Sequence, residues 1–272
     1  MPESARPRPP AARRRGSSGC GLLTLTSAAV LALIALIGAM TMLGGPSGVP
    51  FTRQPIPDDV PPKAAERALS VDVDAPGRPA AQLAQWAAPI AAATGIPEQA
   101  LRAYGLAEVR AGLEFPQCNL RWNTLAGLGW VESRHGTYNG DWFNRSGLRA
   151  DGVAEPPIIG VPLDGGPGLA EIPDTDGGRL DGDPDWDRAV GPLQFIPESW
   201  ARYGVDASGD GVADPQQIDD AAAAAVRLLC SGERDLATPE GWTAAIGAYN
   251  QSAQYIIDVR DAAANYALNQ PA

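Results

Sequence analysis

The residue with the strongest claim to chemistry is Glu132. It closes the run LRWNTLAGLGWVESRHG, in which Leu125, Leu128 and Val131 fall on one helical face. A carboxylate at the end of so apolar a helix is either a solvated surface residue or a desolvated acid. Desolvation disfavours the ionised form and raises the carboxyl pKa, and the negative end of the helix dipole acts the same way. A carboxyl that stays protonated near neutrality can serve as a general acid. His135 is the only histidine, so a histidine-based metal site or a serine triad is excluded. It is expected to pack or cap beneath the helix that carries Glu132.

A second cluster is all oxygen. In DASGDGVAD, Asp206, Ser208, Asp210 and Gly211 occupy positions 1, 3, 5 and 6 of an EF-hand-like loop. Val212 would offer its carbonyl at position 7, and Asp214 falls at position 9. Position 12 is Gln217 rather than Glu, so the missing carboxylate would come from Asp220 or its neighbour Asp219. This set suits a structural Ca²⁺ bound more weakly than in a sensor; the alternative is an Asp/Gly turn without metal. Upstream, Asp174–Asp187 holds six Asp and one Arg. It is either a second metal loop or active-site wall, or a solvated acidic loop pinned by Arg179 and Arg188. Trp122, Trp130, Trp142, Trp200 and Trp242 are candidates to stack on a ligand or to fill the core.

Three short patterns occur in order along the chain: GWVES at 129–133, GPLQFIPESW at 191–200 and AYN at 248–250. Together they resemble the lytic murein transglycosylases of the lysozyme-like superfamily. The nearest type is membrane-bound lytic transglycosylase B in its actinobacterial form. The resemblance covers roughly residues 81–268. It implies that Glu132 and Ser133 are the catalytic Glu-Ser pair and that Gln194 lines the sugar cleft. It implies that Tyr249 holds Glu132 or the sugar by its hydroxyl, and that Asn250 orients the substrate's acetamido group. Ser133, Gln194, Tyr249 and Asn250 are thus the expected substrate-binding residues. Leu193 stands where the family more often has Met, and Arg134 where a small residue is usual. The family's chemistry uses one carboxyl and no catalytic cofactor. It cuts between N-acetylmuramic acid and N-acetylglucosamine and leaves a 1,6-anhydro product. A hydrolytic muramidase and a non-catalytic wall-binding or scaffold module are the alternatives.

The elements that must position these residues read as helices. Leu83, Trp86, Ala87 and Ile90 have helical spacing before Gly95, and Pro97 starts a second helix with Leu101, Tyr104 and Leu106 inward. Further helices are expected at 119–133, 197–203, 218–230, 240–250 and 253–266. Residues 140–190 are rich in Gly, Pro and Asp, show no period, and exceed an ordinary connection, so a functional or ion-stabilised loop is expected. Strand signals are almost absent. The fold class is therefore mostly α, and the resemblance implies a lysozyme-like transglycosylase domain over 80–272 with a long irregular insertion.

Ahead of that domain, residues 22–43 contain no charge, and a helix of that length spans roughly 33 Å. Five Arg precede it, so the basic tail 1–21 stays cytoplasmic and the remainder faces outward. The expected location is the plasma membrane, single-pass, with secretion after signal cleavage as the alternative. Residues 44–79 are Pro-rich and aperiodic and read as a disordered linker. Of the 32 acids in the 272-residue chain, 31 lie beyond residue 43, against 16 basic residues there. So acidic a body argues against nucleic acid and against peripheral binding to anionic lipid. Peptidoglycan glycan strands are the partner that the family resemblance implies, and the membrane is met through residues 22–43. Export also makes a Cys118–Cys230 disulfide the natural pairing of the only two body cysteines.

Overall fold

The computed structural model describes residues 53–138, 140, 143 and 145–272. The expected tail 1–21, the apolar span 22–43, the first part of the linker and Trp142 lie outside the described residues. Among the described residues no helix is long and apolar enough to cross a membrane.

Seven α-helices carry the fold of the described region. They are α1 (Ala84–Thr94), α2 (Glu98–Glu114), α3 (Trp122–Ser133), α4 (Pro197–Tyr203), α5 (Ile218–Leu229), α6 (Pro239–Tyr249) and α7 (Ala253–Ala267). A 3₁₀ turn at Pro79–Leu83 leads into α1. The punctuation is chemical. Gly95 ends α1 in the left-handed conformation at φ 75°. Thr238 and Ser252 cap α6 and α7, and the Gln217 side chain caps α5 by accepting from the amides of Asp219 and Asp220.

Helix α3 sits at the centre. It buries Trp122 through Gly129 and again Ser133, so it is apolar nearly all round, as a core helix must be. Its principal neighbour is α7, with α2 on another side. The approach to α7 is close because Gly127 has no side chain. A Cβ there would lie 2.6 Å from the Val259 carbonyl oxygen and 3.2 Å from Ala263. Helix α5 meets α2 through the run Ala221–Ala225, all of it buried. Cys118 and Cys230 are bonded, with Cα atoms 5.4 Å apart and a sequence separation of 112. The bridge pins the α2–α3 connection to the end of α5. In the chain-entropy account a loop of that length is stabilised by about 4–5 kcal/mol.

Two sequence expectations need correction. The linker reading fails over its described part, because the segment from Arg53 to Arg78 lies on the domain as a strap. Asn123, buried in α3, accepts from the Ala65 amide and donates to the Lys63 carbonyl. Trp122 donates through its indole to the Glu66 carbonyl, and Arg110 to that of Val73. Arg78 pairs with buried Asp219 at 2.5 Å. Proline and lack of period signal an absence of regular structure, not an absence of partners. The packed unit of the described residues thus extends ahead of Ala80 and takes in the segment from Arg53.

The insertion also has more structure than expected. It holds two antiparallel ribbons, β1 (Gly147–Leu148) with β2 (Ala154–Glu155), and β3 (Ile159–Pro162) with β4 (Arg188–Val190). Strands of two to four residues are too short to leave a period-2 pattern. Its Asp side chains fold it by accepting backbone amides. Asp174 receives those of Asp176, Gly177 and Gly178, and Asp187 receives Thr175 through both amide and hydroxyl. Of the two arginines expected to pin it, Arg188 binds Asp183 at 2.8 Å and exposed Arg179 reaches Asp176 at 4.0 Å.

The α3–α7 contact gives the fold's most direct test. Gly127→Ala drives a methyl into backbone that has little room to yield. Overpacking of this kind costs about 1–3 kcal/mol. The melting temperature should fall by about 2–10 °C at unchanged far-ultraviolet circular dichroism. An unchanged melting temperature would show that the helices separate easily.

Candidate active site

Glu132 stands on the last turn of α3, partly exposed, with apolar packing around it. Among the described residues the hydrogen-bond partner of its carboxyl is the Tyr255 hydroxyl, which donates to Oε1 from α7. Burial pushes its pKa up to about 7, against the smaller opposing effect of the Tyr255 hydrogen bond. The desolvated-acid reading of Glu132 therefore describes its surroundings better than the solvated one. Tyr255 is itself buried and its hydroxyl is held neutral by burial and by the charge of Glu132.

The chain just beyond Glu132 fixes its place. The helix ends because Arg134 and His135 both turn left-handed, at φ 52° and 61°. Non-glycine residues hold that conformation only where neighbours impose it. Here the neighbours are explicit. The buried His135 ring has Nδ1 3.3 Å from the Tyr104 hydroxyl and Nε2 2.8 Å from that of Tyr266. Burial brings its pKa down to about 3, so it is neutral. It packs beneath the helix, as its isolation in the sequence implies.

Ser133 is 1% exposed, donates to the Pro192 carbonyl at 2.5 Å and accepts from the Gly136 amide at 2.7 Å. With both functions used inside the protein, it is a positioning residue rather than a sugar contact. That corrects the substrate-binding role implied by the family resemblance. Its bond ties the end of α3 to the turn Gly191–Gln194. The turn is closed on both sides by Val190 and Phe195, which exchange backbone hydrogen bonds. Gly191 is required there, since a Cβ would sit 1.8 Å from the Pro215 carbonyl oxygen.

Tyr249, at the end of α6, donates to the Leu193 carbonyl at 2.8 Å. The hydroxyl that grips Glu132 is therefore that of Tyr255, and Tyr249 braces the turn beside it. Glu132 is near enough that its charge helps hold the Tyr249 hydroxyl neutral. Gln194, in the left-handed conformation at φ 49°, donates to the Gly191 carbonyl at 3.1 Å. Asn250 is exposed, with its side-chain oxygen on the Ser252 amide.

Gln194, Tyr249 and Asn250 line one cleft of about 510 Å³. Its other wall comes from the insertion, through Leu163, Leu169 and Ile172. The structure thus brings together three of the four expected substrate residues, with Ser133 just beneath. Tyr255 was missed, although its place six residues after Tyr249 on the last helix was visible. No described tryptophan lines this cleft. Trp122, Trp200 and Trp242 are buried core, and the ring of Trp130 is covered by the Arg134 guanidinium at 4.0 Å.

The loop 206–220 is separate. Asp220 reaches back to close it, accepting from the amides of Ala207 and Ser208 at 2.8 Å and of Asp214 at 3.0 Å. Asp206 accepts from the amides of Gly209 and Gly211. Asp210 accepts from the Val212 amide, and Asp214 from that of Gln216. Among the described residues no group of three or more His, Cys, Asp or Glu is arranged so that it could hold a metal ion. The donor set is the oxygen set that Ca²⁺ takes, but its carboxylates are turned onto loop amides. Asp219, the other candidate, is committed to Arg78.

One family comparison matches this geometry. Residues 181–233 match the transglycosylase SLT domain family. That stretch contains the Gly191–Gln194 turn, α4, the loop 206–220 and α5. It stops short of Glu132 on one side and of Tyr249 and Asn250 on the other. The resemblance to the lytic transglycosylases of the lysozyme-like superfamily stands on this match; the match leaves the subtype open. No curated protein and no solved structure matches the chain.

Burial of Glu132 fixes a pH dependence of stability. Its folded pKa lies above its unfolded value, because burial penalises the charge. The penalty is absent below the unfolded carboxyl pKa, where both states are protonated. It grows as pH rises from about 4.5 to 7 and is complete above that. Glu132→Gln removes it. The variant should melt higher than wild type at pH 8, and the gap should close by pH 4.5. Parallel melting curves across that range would mean that the carboxyl is not desolvated.

Proposed function

We propose that this chain is a peptidoglycan lytic transglycosylase with Glu132 as its single general acid and base. The SLT match supports the coarser part, an enzyme that cleaves peptidoglycan. What supports the finer part is the Glu132 carboxyl, whose pKa burial pushes up to about 7 and whose charge reaches Tyr249, a lining residue of the cleft that also holds Gln194 and Asn250.

The chemistry is a two-stage proton transfer at one carboxyl. Protonated Glu132 donates to the glycosidic oxygen between N-acetylmuramic acid and N-acetylglucosamine, and the C1–O bond breaks. The substrate's own acetamido group stabilises the cation at C1, with Asn250 orienting it. Glu132, now ionised, accepts the proton of the muramic C6 hydroxyl. The C6 oxygen bonds to C1 and closes the 1,6-anhydro ring, and no water is consumed. Tyr255 meets both stages: its hydroxyl steadies the carboxylate when it forms and holds the side chain in place when it is protonated. Ordinary glycosidases use two carboxyls, one of them for water or a covalent sugar. An intramolecular nucleophile removes the need for the second.

The sequence supports placing this domain outside the plasma membrane, anchored by residues 22–43. Calcium in the loop 206–220 is a separate proposal. Asp206 and Asp220 repel one another across the loop, and a cation would relieve that repulsion. It would have to turn their carboxylates away from loop amides, so binding should be weak.

Two measurements test these readings. Purified sacculi are digested with the full chain in detergent, and the products are weighed by mass spectrometry. Anhydro ends are expected, with activity falling as pH rises through 7, and Glu132→Gln should lose about 10²–10⁴-fold. Reducing ends would make the chain a muramidase, and wild-type digestion by the variant would remove Glu132 from the reaction. For the loop, millimolar Ca²⁺ should raise the melting temperature and Asp206→Asn should abolish the rise. No shift in wild type would dismiss the ion.

A further inference from the structure

A second cavity, of about 470 Å³, lies along the seam between α3 and α7 on another face of the catalytic helix. Trp130, Val131 and Arg134 form its α3 side. Asp258, Asp261 and Asn265 form its α7 side, and Arg53 and Ile56 of the strap close it. Val131 directly precedes Glu132, and Asp258 is one turn beyond Tyr255, which holds the Glu132 carboxyl. The cavity therefore flanks the reacting group without sharing a residue with the Gln194–Tyr249–Asn250 cleft.

Its lining is unlike a sugar platform. The one aromatic face, that of Trp130, is already covered by Arg134. The polar groups are charged and of both signs. Asp261 is neutralised from outside by Arg260, which also reaches Asp58 of the strap at 3.5 Å. The cationic groups are then Arg53 and Arg134, the latter held on the Trp130 ring with Nη1 donating to the Trp130 carbonyl at 3.1 Å. The carboxylate is Asp258, whose hydrogen-bond donor is the neutral Gln254 amide at 2.9 Å. Ile56, Val131 and Ala262 add short apolar surface. Two guanidiniums, one carboxylate and small apolar contacts complement a short peptide that carries free carboxylates, an ammonium group and small side chains. Peptidoglycan is such a polymer, since its muramic acid residues bear peptides.

We propose that this cavity is a peptide subsite, in which the strap and helices α3 and α7 grip the peptide of a peptidoglycan strand whose sugars lie across Glu132. The inference rests on the transglycosylase reading for its substrate and extends it to a second contact. It also gives the strap a role. Arg53 and Ile56 are wall residues, so the segment ahead of α1 completes the enzyme rather than merely spacing it.

The test compares two substrates and one direct probe. Full-length wild type, Arg53→Gln, Arg134→Gln and Asp258→Asn are given intact sacculi and sacculi stripped of peptide by an amidase. Wild type should cut the peptide-bearing wall about tenfold faster, which corresponds to roughly 1.4 kcal/mol. In each variant the ratio of the two rates should fall to within about twofold of one. Separately, the peptides released by the amidase are titrated calorimetrically into full-length Glu132→Gln, with and without Arg53→Gln. Saturable heat that Arg53→Gln weakens tenfold supports the subsite. Equal wild-type rates on both walls, or no heat at millimolar peptide, overturn it. Peptide binding without cleavage of either wall would keep the subsite and sink the transglycosylase reading instead.

Discussion

One carboxyl group, kept from ionising by the protein around it, is the constraint on which the rest depends. Among the described residues the hydrogen-bond partner of Glu132 is a neutral hydroxyl, that of Tyr255, and burial rather than a charge dominates its pKa. An ion pair would have fixed its position more simply but would have pulled its pKa down and removed the acid. The protein therefore positions Glu132 by packing and by its helix. That choice explains why α3 is buried nearly all round and why Gly127 lets α7 approach so closely. It also explains why the helix end is enforced by a neutral His between two tyrosines rather than by a charged cap.

A helix that must hold one atom in place needs its own restraints, and these come from far along the chain. The disulfide fixes the connection ahead of α3 to the end of α5. The strap binds the first turn through Asn123 and Trp122. Ser133 binds the last turn to the Gly191–Gln194 turn, which Tyr249 braces from the other side. Acid and cleft are thus parts of one hydrogen-bonded unit. A shift of α3 along its axis would strain the bonds at both ends.

Much of this was legible in the sequence because helices write their period into it. The seven helices of the described residues and the inward faces of Leu101, Tyr104 and Leu125 follow from spacing and caps, and the Cys118–Cys230 bridge joins the only two cysteines beyond residue 43. Motifs single out Glu132, Gln194, Tyr249 and Asn250, and the last three line one cleft. What stayed hidden has a common cause: it depends on contacts distant in sequence and made by backbone. The strap carries no period, and its bonds run from carbonyls and amides that any residue owns. Tyr255 looks like any buried aromatic until α7 is laid against α3. Ser133 looked like a sugar contact because motif proximity does not say which way a hydroxyl points.

The acidity of the chain shows the same principle from the other side. Between Asp174 and Asp220 there are 12 acidic residues and only Arg179, Arg188 and Arg202. Counting charges alone makes this stretch a candidate for metal. In the fold most of these carboxylates instead accept amides from residues two to five positions on, as Asp174, Asp176, Asp183 and Asp206 do. Such bonds favour the ionised form, so the carboxylates of Asp174, Asp183 and Asp206 lie below the usual range. Glu132 and these aspartates are thus opposite solutions built from the same functional group. Packed against apolar side chains with a neutral hydroxyl as donor, a carboxyl has its pKa raised. Supplied with amides at the surface, it becomes a structural anion that shapes a loop, and the loop 163–172 between them forms the far wall of the cleft.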